Sequence, residues 1–121
     1  MSPLVLAGLL ALSGSAAPEP SPAPAKLFAV VFRTGPAWDA AKPPGEQTHF
    51  KDHSANIARL KAEGRLVVGG RFADVGLLLL RAATREEAQS LVDRDPSVAA
   101  GVFKAEVHPW STFAAGCVEG K

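Results

Sequence analysis

Val75-Gly-Leu-Leu-Leu-Leu80, followed by Arg81-Ala-Ala-Thr84-Arg-Glu-Glu87 and then by Ala88, Leu91 and Val92, is the stretch that decides the fold. The aliphatic run, bounded by turn and polar residues, reads as a strand. Thr84-Arg-Glu-Glu87 is a capping box, in which a threonine oxygen and a glutamate three residues later satisfy orphan amides at a helix start. Ala88, Leu91 and Val92 then fall on one helical face. Pro96 disfavours helix at Asp95, so this helix is expected to stop there. Within the strand, Leu77 to Leu80 does not alternate with polar residues, which predicts burial on both faces of the sheet.

Working outward, Leu66-Val-Val68 before this unit reads as another strand, ending at Gly69-Gly70. Ahead of it, Phe50, His53, Ile57 and Leu60 recur at helical spacing. Thr48 is the expected cap of that helix, and Gly64 its left-handed end. Leu27-Phe-Ala-Val-Val-Phe32 reads as the first strand and Val102-Phe-Lys-Ala-Glu-Val107 as the last, closed by Pro109. The order strand, helix, strand, strand, helix, strand is the split βαβ or ferredoxin-like arrangement. It is an α+β fold with a four-stranded antiparallel sheet and both helices on one face. Leu27 to Phe32 also fails to alternate. The uncovered sheet face therefore needs a partner, and a homodimer with the two sheets stacked is expected.

The remaining segments set the organisation. Residues 4–17, Leu-Val-Leu-Ala-Gly-Leu-Leu-Ala-Leu-Ser-Gly-Ser-Ala-Ala, have the apolar core and small-residue end of a secretory signal, without a preceding Lys or Arg. The run is shorter than the ~20 apolar residues of a membrane span. Residues 1–17 are thus expected to be a signal peptide and 18–25 a proline-rich spacer. Residues 26–113 are the folded domain and 114–121 a tail. The expected location is outside the cytoplasm, periplasmic or secreted, with no membrane insertion once the signal is gone. A formal net charge of +1 and the lack of any basic run argue against nucleic-acid binding. Cys117 is the only cysteine, so no intramolecular disulfide can form, and oligomerisation is the natural source of added stability for a domain this small.

The chemistry-bearing candidate is His53. An imidazole in the inward row of an amphipathic helix can exchange a proton near neutral pH away from bulk water. The same spacing suits a hydrogen-bonded core histidine. The loop 34–47, with Gly35, Pro36, Pro43, Pro44 and Gly45, is long for a compact domain and carries Trp38 and Asp39. Ser54 adjoins His53 but neighbours on a helix do not face each other, so no nucleophile is evident. His49 and His53, four apart, share a helix face, and Asp52 or His108 could assist. Phe50 stands where a zinc-protease pattern has glutamate, and no metal site or other cofactor is expected.

His53 in its helix, Leu60 and Gly64, Gly69-Gly70-Arg-Phe-Ala-Asp74, Asp95-Pro96 with Gly101, and the Pro109-Trp110 close together resemble the YciI-like (YCII-related) family over about residues 26–112. The resemblance implies a ferredoxin-like fold paired into a dimeric α/β barrel. It also implies a small-molecule pocket between helices and sheet, with a histidine and an aspartate as the working pair. One branch of the family removes chloride from a chlorinated aromatic degradation intermediate, and the wider superfamily includes muconolactone isomerase-like enzymes. Carried onto this chain, the histidine is His53 and the aspartate is Asp95, with Asp74 as the alternative. Where the family has glycine-proline after the second strand, this chain has Gly70-Arg71. Arg71 and Arg33 are candidates for pairing with an anionic substrate, and Trp38 for walling an aromatic one. The expected function is a small-molecule lyase or isomerase using a His-Asp acid/base pair. The alternative is a non-catalytic ligand-binding or structural dimer of the same fold.

Overall fold

The computed structural model describes residues 25–120. The expected signal segment and residues 18–24 of the spacer lie outside them. Four strands, β1 (Lys26–Thr34), β2 (Leu66–Phe72), β3 (Val75–Ala82) and β4 (Phe103–Pro109), form one sheet in the order β2-β3-β1-β4. Every neighbouring pair is antiparallel. Helix α1 (Phe50–Ala62) joins β1 to β2, and α2 (Arg85–Asp93) with the short α3 (Pro96–Ala99) joins β3 to β4. This is the ferredoxin-like βαββαβ order read from the sequence.

Alternation along the strands sorts the sheet into two faces. Phe28, Val30 and Phe32 of β1, Leu78, Leu80 and Ala82 of β3, and Val107 of β4 join Leu60 of α1 and Ala88, Leu91 and Val92 of α2 in one core. Burying each valine, leucine or phenylalanine side chain among them contributes roughly 1.5–3 kcal/mol. Ala29 pairs with Leu79 and Val31 with Leu77 on the opposite face. That face ends in polar groups on β4, where Lys104, Glu106 and His108 are exposed.

Three local expectations change. The cap of α1 is His49, in the left-handed conformation at φ 65° and without a side-chain cap bond, and not Thr48. Gln47 is buried and tied into the preceding loop, so the chain reaches the helix with Thr48 turned outward. Strand β2 continues through the glycine pair to Phe72, because Gly69 and Gly70 still pair with Leu78 and Leu77. After α2 the chain does not run straight to β4. Pro96 takes the first position of α3, where its missing amide costs nothing. Gly64 ends α1 at φ 75° as its position requires. Thr84 caps α2 by accepting the Glu87 amide, while the Glu87 carboxylate reaches the Ala83 amide, one residue ahead of the usual box partner.

Candidate active site

His53 sits one turn into α1, on the row that packs toward α3 and the sheet. Its Nδ1 lies 2.6 Å from Asp95 Oδ2, across 42 residues of sequence. Asp95 is the N-cap of α3 and is fully buried. Its other oxygen, Oδ1, accepts the Ser97 amide at 2.9 Å and the Ser97 hydroxyl at 2.7 Å. One carboxylate thus caps a helix with one oxygen and holds the histidine with the other. Burial pushes the Asp95 carboxyl up, but the hydrogen bonds from the His53 ring and from Ser97, with the histidine's charge, together outweigh it and hold the group below its ordinary value.

An ionised Asp95 can only accept, so Nδ1 of His53 carries the hydrogen between them. Nε2 has no protein partner among the described residues, and no side-chain polar atom that is fully buried lacks one. Nε2 is therefore open to the space in front of it. That space is a cavity of about 620 Å³. The ring is set by aromatic contacts: Phe32 edge-on at 5.1 Å, Phe103 at 4.7 Å and Phe50 at 6.1 Å between centroids. Asp95 and Ser97 do not line the cavity and stand behind the histidine. The arrangement is an imidazole at an apolar wall, oriented from the rear, with one ring nitrogen free to accept a proton.

Of the residues singled out in the sequence, the structure brings His53, Trp38, Arg71 and Asp74 to this cavity. Asp95, not Asp74, pairs with His53. Asp74 stands at the rim, in the two-residue turn between β2 and β3 that Ala73 closes at φ 51°. Arg33 is not brought in. Its position in β1 points it to the other face, where Nε lies 3.1 Å from Glu106. His49 does not join His53 around a metal; its Nδ1 lies 2.8 Å from Asp52. Among the described residues, no three His, Cys, Asp or Glu side chains cluster as metal ligands would.

Sequence reasoning missed three supports. Ser97 follows Asp95-Pro96 and offered the small-polar signal of a cap partner. Gln47 is buried, donating from Nε2 to the Asp39 and Lys42 carbonyls at 2.7 and 3.0 Å and accepting the Asp39 amide at 2.9 Å. It pins the loop that carries Trp38. The start of that loop is tied to the α3–β4 connection by Gly35 N to Val102 O at 2.8 Å and Ala37 N to Gly101 O at 2.9 Å. A Cβ at Gly35 would come 2.2 Å from the Gly101 carbonyl oxygen, so only glycine fits there. Phe103, next to that connection, packs on both Trp38 and His53.

Two comparisons with known proteins bear on the family of this chain. The YCII-related domain family model matches residues 28–111. The uncharacterized protein YjpA of Bacillus subtilis (strain 168) is 35% identical over 66 residues, covering 53% of this chain and 78% of that protein. The chain belongs to the YCII-related family.

Proposed function

We propose that this YCII-related protein is an exported small-molecule enzyme, a lyase or isomerase, in which His53 moves a proton and Asp95 orients and charges it for the task. The observation that carries the reading is the 2.6 Å His53–Asp95 contact with Nε2 left facing the cavity. A ligand whose acidic C–H, or whose leaving group, meets Nε2 gives or takes one proton there. The buried carboxylate stabilises the imidazolium that forms. The aromatic walls thin the water around the exchange, which strengthens the charge interactions. No nucleophile is required, and Ser97, whose hydroxyl is spent on Asp95, does not line the cavity.

The working unit in this reading is a homodimer with the open sheet faces stacked. Its support is the apolar row of Val31, Leu77 and Leu79 on that face, with Phe72 of β2 60% exposed beside it. Leu79→Lys is expected either to convert the dimer to monomer in sedimentation or to unfold the chain, because Leu79 is already buried within the protomer and an unpaired charge in an apolar contact is costly. A variant that sediments as a stable dimer counts against stacking.

The catalytic test needs no knowledge of the full reaction. Small carbonyl acids and phenols that bind the full chain are incubated with it in D2O, and deuterium uptake at carbon is followed by NMR. Uptake is expected with the wild type and is expected to fall about 10²–10⁴-fold in His53→Gln, the usual worth of a positioned acid/base group. Bound ligands that exchange no faster than in buffer, or equally fast with His53→Gln, would overturn the enzyme reading and leave a ligand-binding protein.

A further inference from the structure

The cavity has one apolar end and one charged end, and nothing among the described residues uses the charge. His53 stands among aromatic rings at the first end. At the second, Arg71 lines the rim from β2. Among the described residues its guanidinium makes no ion pair and no hydrogen bond, whereas Arg33, Arg65 and Arg94 each bind a carboxylate. The register explains the separation. Arg71 pairs with Gly76 of β3, and Gly76 pairs with Phe32 of β1, so the three form a row across the cavity face of the sheet. Two strand spacings, about 10 Å, separate the Arg71 and Phe32 backbones. Between them Gly76 presents no side chain, and a Cβ there would meet the Phe32 side chain no closer than 3.5 Å. The middle of the row is an open floor.

We infer that the ligand of this cavity is a small planar monocarboxylate, with its carboxylate on Arg71, its ring over Gly76 and its reacting end at His53. The guanidinium is a flat fork that meets a carboxylate through two parallel hydrogen bonds, and it stays charged at any working pH. The aromatic wall favours an unsaturated ring over a chain of equal size. The volume of about 620 Å³ suits a ligand of one or two rings. Asp74, the acidic group at the same rim, opposes a second negative charge and so selects a monoanion. The inference deepens the acid/base reading of the site and rests on its cavity, but binding selectivity can be measured without turnover.

The test titrates the full chain with benzoate, 2-naphthoate and the matching neutral amides. The acids are expected to bind about tenfold more tightly than the amides, the low end for hydrogen bonds to a charged group at a wet rim. Arg71→Gln should abolish that preference and Arg71→Lys restore part of it. His53→Gln should retain it, which separates this inference from the proton-transfer reading. Gly76→Val, a residue the strand accepts, should weaken acids and amides alike by filling the floor. Amides that bind as tightly as acids, a preference unmoved by Arg71→Gln, or no binding of either acid would each overturn the assignment.

Discussion

Two histidine–aspartate pairs meet at the first turn of α1, and they differ in everything but their atoms. His49 Nδ1 and Asp52 Oδ2 are 2.8 Å apart, three residues along one helix, with side chains 39% and 53% exposed. His53 Nδ1 and Asp95 Oδ2 are 2.6 Å apart, between two helices, with side chains 11% and 0% exposed. The first pair is free to exchange its partner for water and holds nothing else in place. The second cannot, since Asp95 also caps α3 and binds Ser97. A short contact becomes a fixed one when burial and a second set of bonds leave it no other arrangement.

Truncating the buried acid should have the larger effect. Asp95→Ala strands the Ser97 amide and hydroxyl and the His53 Nδ1–H in the interior, and removes a helix cap. Each buried donor left without its acceptor costs about 1–3 kcal/mol, and the cap falls within that loss rather than adding to it. Urea denaturation should show the midpoint falling sharply, a large fraction of the stability of a domain this size. A loss below about 1 kcal/mol, the range of an exposed pair, would mean that water replaces the carboxylate at no great cost and that burial is not what distinguishes the two pairs.

A milder probe is acid. The folded-state pKa of Asp95 lies below its ordinary value near 3.8, so the unfolded chain takes up this proton first. The stabilisation from the ionised carboxylate is therefore complete above that ordinary value. It is lost as pH falls from there through the lower, folded value. Denaturation midpoints measured from pH 6 down to pH 3 should show an acid limb that Asp95→Asn flattens. An acid limb of equal slope in that variant would assign it to other carboxylates, with Glu63, held low by Arg94, Glu87, by the Ala83 amide and Arg65, and Glu106, by His108 and Arg33, the first to examine.

How much of this was legible follows from the range of each interaction. The strands, the Thr84 cap, the Gly64 stop and the inward row of α1 are local, written in spacings of two to four residues. The antiparallel order followed from them with the split βαβ rule. His53 was legible as a titratable ring on an apolar row. Its partner was not, because 42 residues separate it from Asp95 and Asp74 satisfied the same sequence argument. Resemblance to the family favoured Asp95; geometry chose it. Arg33 and Arg71 looked alike as single cations, and only strand parity, fixed by pairing in three dimensions, put one at the cavity and the other on Glu106. Gln47 was illegible for a further reason. Its role is to satisfy loop carbonyls in the interior, and a polar residue in a proline-rich loop reads as solvated until the loop's path is known.

The smallest effect sharpens the comparison most, since it asks whether the outer pair does anything. Asp52→Ala removes the His49 contact and one acidic group from the first turn of α1. An exposed pair three residues apart on a helix is worth roughly 0.5 kcal/mol or less, and the loss of the first-turn carboxylate beside the helix dipole is of the same size. The expected shift in the urea midpoint is therefore small, and 1 M salt should erase most of it. Deuterium uptake by bound ligand should be unchanged, because the Asp52 side chain is bonded to His49 and does not line the cavity. A salt-resistant loss as large as that of Asp95→Ala would show that the left-handed His49 cap depends on its aspartate. The start of α1, and with it the aim of His53 one turn later, would then be held by the exposed pair as much as by the buried one.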